Sequence, residues 1–203
     1  LQAIQLYQNH LGFMSKDHLI NLFNSLKQCP ALVRIDLGMN HLNHMDATLL
    51  ADLFHRLTQY ASLESLGLGG NHLGYMDDGQ LKALYQGIAQ CKTLSFIGLG
   101  MNQFNAMNSS QLQSFFSGLS ISKTLKHIDL QHSNLGHMAP NHFYMIFEQL
   151  VEAPCLERLS LQNNHLATFN AIECHALCQQ VRKSNHLNWI DLSDNTLNLM
   201  PDM

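Results

Sequence analysis

Apolar positions along the chain recur in a fixed order. The pattern L-x-x-L-x-L-x-x-N-x-L begins at Leu1, Leu32, Leu63, Leu94, Leu125, Leu156 and Leu187, each start lying one and the same interval after the last. Seven copies without an insertion are the mark of a chain built by stacking one structural unit. Within each copy the fourth and sixth positions are aliphatic and alternate with polar or small residues, the period-2 signature of a short strand buried on one face. Parallel strands are therefore predicted near residues 3–6, 34–37, 65–68, 96–99, 127–130, 158–161 and 189–192.

An asparagine follows each strand, at Asn9, Asn40, Asn71, Asn102, Asn164 and Asn195, where the chain must turn. Its amide carries two donors and an acceptor, so stacked copies can satisfy turn backbone enclosed between repeats. Ser133, beside Asn134, holds this place in the fifth copy, and a local alteration of that turn is expected.

The second half of each copy predicts a helix. Ser15, Asp46, Asp77, Asn108 and Asn170 recur at one position and suit an N-cap, while Ala139 in the fifth copy is followed by Pro140 at the first helical position. Gln80, Gln111 and Glu173 stand where a capping box needs them. A series preceding the cap, Met14, Met45, Met76, Met107, Met138 and Phe169, is matched five places on by Leu19, Leu50, Leu81, Leu112, Phe143 and Cys174. These are the two places of a hydrophobic staple, and flexible thioethers fill such gaps well. Leu19, Leu22, Phe23 and Leu26 continue the apolar helical face.

Seven such copies resemble the leucine-rich-repeat family over the whole length, and a helix in every repeat is most similar to the ribonuclease-inhibitor-like α/β subclass, although the period is slightly longer than usual there. The resemblance implies an α/β solenoid, a horseshoe with a parallel sheet on the concave face and helices on the convex face. Residues 1–203 are then a single leucine-rich-repeat domain of six full repeats and a partial seventh. Neither end carries a recognisable cap, so a piece of a longer chain is expected. The resemblance further implies non-enzymatic recognition of a protein partner, and the His-, Asn-, Gln- and Met-rich style is similar to effectors that intracellular bacterial pathogens deliver into host cells. That likeness implies a cytoplasmic location, in the host cytosol for an effector. Two alternatives stand beside it: regulation of a small GTPase, and service as the targeting arm of a larger enzyme.

Composition narrows the partners. At 46% hydrophobic residues the chain has material for a core, and with 11 Lys and Arg against 15 Asp and Glu it lacks the basic excess of a nucleic-acid surface. No stretch approaches the roughly 18 uninterrupted apolar residues of a membrane helix, so no membrane span is expected, and nothing in the pattern sets an oligomeric state. Cys29, Cys91, Cys155, Cys174 and Cys178 are odd in number and lack zinc spacing, which predicts reduced, buried thiols.

Candidate chemistry is sparse. His10, His41, His72 and His165 directly follow the asparagine series, but a zinc ion needs ligands converging to about 2.0 Å, and ladder positions project in parallel. Cys174 and Cys178, around His175, fall where Leu50 and Phe54 stand in the second repeat, so they read as core rather than ligands. His127, Asp129 and Ser160 share a strand face, yet an open sheet offers neither an oxyanion hole nor exclusion of water, and they read as a polar patch. No metal, cofactor or catalytic residue is predicted.

Strand residues between the aliphatic positions point away from the core and are free to vary. One outward row runs Ala3, Arg34, Ser65, Phe96, His127, Arg158, Trp189, and the next Gln5, Asp36, Gly67, Gly98, Asp129, Ser160, Asp191. Beyond them run Tyr7, Gly38, Gly69, Gly100, Gln131, Gln162, Ser193 and then Gln8, Met39, Gly70, Met101, His132, Asn163, Asp194. Glycine weakens a strand and is placed where another backbone comes close, so the cluster in repeats two to four reads either as drift or as a bare floor for a partner's chain. Arg34, Met39, Phe96 and Met101 flank that floor. Aromatic and arginine side chains carry much interface energy, which adds Trp189 and Arg158, while Asp36, His127 and Asp129 complete the predicted partner-binding set. Trp189 has a second reading, as a surface covered by further chain.

Overall fold

The computed structural model describes residues 1–168, 175 and 178–197, and it repeats one order of elements: strand, single 3-10 turn, helix. The strands are β1 (Ala3–Gln5), β2 (Arg34–Asp36), β3 (Ser65–Gly67), β4 (Phe96–Gly98), β5 (His127–Asp129), β6 (Arg158–Ser160) and β7 (Trp189–Asp191). Helices α1 (Lys16–Leu26), α2 (Ala47–Leu57), α3 (Asp78–Gln90), α4 (Ser109–Ser120) and α5 (Pro140–Val151) lie between them. All seven strands pair in parallel, in chain order, in one open sheet. Register never slips: Ile4 pairs Ile35, Ile35 pairs Leu66 and Leu66 pairs Ile97, so each step joins residues one repeat apart. The strands are a residue shorter than predicted, although single bonds such as Leu37 N–H to the Gly67 carbonyl at 2.8 Å carry the ladder further.

Aliphatic residues on the inner side of the sheet meet the helices. Leu66, Leu68, Leu50, Leu53 and Phe54 are all fully buried. Burial of each such side chain contributes about 1.5–3 kcal/mol. Strands sit about 4.8 Å apart whereas packed helices need about 8–10 Å, so the stack fans out on the helix side and the sheet takes the concave side.

The helix starts follow the capping prediction. Asp46 accepts the Leu49 N–H at 2.7 Å, and Asp77 with Gln80, like Asn108 with Gln111, forms a complete capping box. Gln80 also donates to the carbonyls of Asn43 and Met45, tying its helix to the previous repeat. In α5 Pro140 replaces a side-chain cap. Met45, Met76, Met107 and Met138 are buried as staple residues, while Met14 is only half-buried. Asn170, Glu173, Phe169 and Cys174 lie outside the described residues.

The asparagines knit neighbouring repeats together. Asn71 Oδ1 accepts the N–H groups of Asn40 and Leu42, and its Nδ2 donates to the carbonyls of Leu37 and Leu68. Asn102 does the same for Asn71 and Leu73. Each asparagine is flanked by two left-handed residues, for example Met39 (φ 54°) and His41 (φ 57°), an arrangement the periodicity did not announce. The fifth turn keeps this backbone, with His132 at φ 54° and Asn134 at φ 56°, contrary to the expected alteration. Ser133 loses only side-chain bonds: its hydroxyl donates to the Gln131 carbonyl and takes no N–H from Asn102 or Phe104.

A second beat of twice the length runs through the 3-10 turns. Gly12, Gly74 and Gly136 stand two repeats apart and donate their N–H to the carbonyls of Asn40, Asn102 and Asn164 at 2.8–2.9 Å. A Cβ on them would lie 1.9–2.2 Å from the carbonyl oxygen of His41, Gln103 or His165, so only glycine permits the approach. Asn43 and Asn105 occupy this place in repeats two and four, and no equivalent bond forms there.

The cysteines need a correction. Cys91 is buried, but Cys29 and Cys155 are half-buried and Cys178 is exposed. Phe54, at the place equivalent to Cys178, is enclosed by Gly87 of the next helix, and no following helix among the described residues covers Cys178. No helix of the described residues is long and apolar enough to cross a membrane.

Candidate functional site

The outward side chains gather into two adjoining zones. Across β2 to β5 the register sets Asp36, Gly67, Gly98 and Asp129 in one row. With Gly38, Gly69 and Gly100 beside them, the missing side chains leave a depression of about 180 Å³, walled by Tyr7, Met39, Met101 and Gln131. Several of these glycines lie close under a neighbour, and at Gly100 that neighbour is backbone. A Cβ on Gly67 would sit 2.6 Å from Asp36 Oδ1, one on Gly70 2.7 Å from Met39 Sδ, and one on Gly100 2.7 Å from the Gln131 carbonyl oxygen. Gly98 differs, because its Cβ would meet nothing nearer than the Phe96 ring at 3.5 Å.

The two carboxylates are fixed by their own turns. Asp36 Oδ1 accepts the Gly38 N–H at 2.9 Å, and Asp129 Oδ1 accepts the Gln131 N–H at 2.9 Å while Oδ2 accepts from the Gln131 amide. Asp191 repeats the motif with both the backbone and the hydroxyl of Ser193, which hold its carboxyl below the usual range.

Predicted residues of the first outward row form the second zone. The Phe96 ring meets His127 edge to face at 4.9 Å, His127 meets Trp189 at 5.9 Å, and the Arg158 guanidinium lies 6.0 Å from the Trp189 ring centre. Phe96 and His127 are half-buried, while Arg158 and Trp189 are exposed. Burial lowers the pKa of His127, opposed by Asp129 and helped by Arg158, and its buried Nε2 has no hydrogen-bond partner. No hydrogen bond joins His127 to Asp129 or Ser160, so these three are not assembled as a triad. Arg34 stands apart, on a shallow depression of about 300 Å³ that it shares with Phe96.

Sequence reasoning set Arg34, Met39, Phe96 and Met101 beside the floor and added Asp36, His127, Asp129, Arg158 and Trp189 to the partner-binding set; Met39, Met101, Asp36 and Asp129 line the depression, whereas Arg34 and Phe96 line the neighbouring one. It passed over Tyr7 and Gln131, although both stand in the same outward row as the floor glycines. Pairwise contact among the aromatics depends on which way each ring leans, which residue order does not fix.

Outside the sheet face, the histidines after the asparagines form a stack. His10 and His41 lie 5.4 Å apart with an interplanar angle of 4°, and His41 and His72 5.6 Å apart at 23°. Exposed Phe13 packs against His44 at 4.5 Å. Rings stacked face to face send their nitrogens outward in parallel, and no group of three or more metal-ligating side chains converges among the described residues. Burial, then the neighbouring charges of His10, His72 and His44, lowers the pKa of His41.

Parallel strands in unbroken register, asparagine ladders and a helix after each of β1 to β5 define a leucine-rich-repeat fold with an open, glycine-floored sheet face. Among solved structures the chain is similar to the leucine-rich-repeat-containing protein LegL7 from Legionella pneumophila, with TM-score 0.79 and 24% identity. That match covers 96% of this chain but 57% of LegL7, so the chain spans little more than half of that protein's length. It is more distantly similar to the tropomodulin C-terminal domain of Caenorhabditis elegans, with TM-score 0.54 and 9% identity over 84% of this chain and 93% of that one. No family model and no curated protein matches the sequence.

Proposed function

We propose that this chain is a non-enzymatic recognition domain that binds a protein partner on its sheet face, within a longer protein that acts as a bacterial effector in the host cytosol. The observation that supports binding is the glycine-floored depression at the centre of the sheet, rimmed by methionines, carboxylates and an aromatic margin. Side chains are withheld where another chain would lie, and aromatic and arginine side chains, the types that anchor interfaces, stand beside that space. Structural likeness to a leucine-rich-repeat protein of Legionella pneumophila supports the effector reading.

The test compares three variants for affinity toward a partner isolated from host-cell cytosol. Phe96→Ala should weaken binding by about 2 kcal/mol. Gly98→Leu should block it, and both variants should stay folded because Phe96 faces away from the core and a Cβ at Gly98 meets only ordinary contacts. Lys82→Ala on α3 should change nothing. Binding that depends on Lys82 and ignores both Phe96 and Gly98 would move the interface to the helix side.

A further inference from the structure

We infer that the glycine floor is a seat for one basic side chain, an arginine or lysine borne on an extended segment of the partner. This rests on the sheet face being the binding surface and adds the chemistry of what it receives. Several features of the depression point the same way.

Its end walls are both acidic. Asp36 and Asp129 occupy one cross-strand row with only Gly67 and Gly98 between them, a span of three strand intervals or about 14 Å. The carboxylates are not spent on cations of the chain itself, since the ion pairs among the described residues are Lys16 with Asp52 and Lys126 with Glu157. Asp36 reaches inward: its Oδ1 sits 2.6 Å from the place of a Gly67 Cβ, so the carboxylate overhangs the floor instead of pointing to solvent. The turn bond from Gly38 N–H holds it there through that oxygen, and Oδ2 has no partner among the described residues.

The side walls are apolar. Met39 and Met101, at left-handed turn positions that aim them across the strand ends, flank the floor, with Met39 lying across Gly70. A cationic head with a long alkyl stem needs this pairing of surfaces, carboxylates for the head and thioethers for the methylenes. An acidic or purely apolar side chain would leave Asp36 desolvated without a counter-charge, while Asp129, with both oxygens accepting from Gln131, adds its charge from the far end. The space fits as well, since about 180 Å³ holds one long side chain and not a folded surface element.

Arginine on a backbone segment can be imitated by N-acetyl-arginine amide, whose neutral ends leave the guanidinium as its one charge. The uncharged control is N-acetyl-citrulline amide, nearly the same shape without the cation. Each is titrated into the isotope-labelled 203-residue chain while the amide signals of Gly67, Gly69, Gly98 and Gly100 are followed by NMR. The arginine probe should move these signals saturably and the citrulline probe should not. Asp36→Asn with Asp129→Asn should weaken the probe by about tenfold or more; asparagine keeps the oxygen that accepts the turn N–H at both places, but at Asp129 it also replaces the oxygen that accepts from the Gln131 amide, so Asp36→Asn alone is measured beside the pair. Equal response to both probes, no saturable response to arginine, or an affinity unchanged in the Asp variants would each overturn the inference. The broader reading fails separately: a partner whose binding survives Gly98→Leu removes the sheet face as the interface whatever the probe does, whereas one lost with Gly98→Leu but kept with both Asp→Asn changes removes only the basic seat.

Discussion

At the scale of single residues, the fold is held at its turns by one amide per repeat. Because Asn71 serves five backbone groups, Asn71→Ala should strand several of them and cost about 1–3 kcal/mol in chemical denaturation. Ser133 marks the converse case. Its turn has the standard backbone but lacks the amide, so Ser133→Asn should restore bonds to the Asn102 and Phe104 N–H groups and raise stability by about 1 kcal/mol, read as a higher denaturation midpoint. The histidine stack gives a pH dependence with a definite sign. His41 binds protons less readily in the folded chain than in the unfolded one, because burial and neighbouring imidazoles disfavour its charge. Its contribution is therefore complete above the ordinary histidine pKa of about 6.5 and declines as pH falls from there toward the lowered folded value. His127 acts in the same direction through its own burial. The thermal midpoint should fall between pH 7.5 and 5.5, and His41→Gln should flatten the slope; a midpoint that rises on acidification would refute this account.

At the scale of elements, strand, turn and helix were legible because each leaves a distinct trace: alternation for the strand, a polar cap before an apolar face for the helix, a fixed period for the stack. The outward rows were legible for the same reason, since period 2 assigns every strand side chain to a face. Two things were not. Left-handed residues beside each asparagine are as unlike as Gln8, Met39 and Asn163, so no single residue type gives them away. The leaning of side chains within the face, Phe96 toward His127 and Asp36 over Gly67, depends on neighbours one repeat distant rather than on the local pattern. The alternate glycines could have been found by comparing every second repeat as well as successive ones. Their role gives a sharp expectation: Gly74→Ala would place a methyl about 2.0 Å from the Gln103 carbonyl oxygen, backbone that cannot swing aside. The repeats must part to admit it, and melting should show a clear loss of more than about 1 kcal/mol, where a Gly to Ala change on an unstrained turn would instead gain roughly 0.4–1 kcal/mol. A variant as stable as the parent would show that the 3-10 turns are not in contact as described.

At the scale of the whole molecule, the two surfaces of the stack divide their tasks. Helices and staple residues supply the apolar mass that fixes spacing and curvature, and the sheet face, relieved of that duty, can spend its positions on glycines, carboxylates and aromatic rings. A sheet face built this way is stiff, because each strand is held by register on both sides except at the two edges of the sheet. The alternate glycines bear on how that stiffness is distributed over time. Gly12, Gly74 and Gly136 each give their N–H to the following repeat, whereas Asn43 and Asn105 do not, so amide hydrogens at one and the same place in the repeat face different fates in heavy water. The three glycine hydrogens should exchange slowly and those of Asn43 and Asn105 quickly. Observed by mass or resonance, a molecule that looks like a row of single repeats would then keep time as a row of doublets.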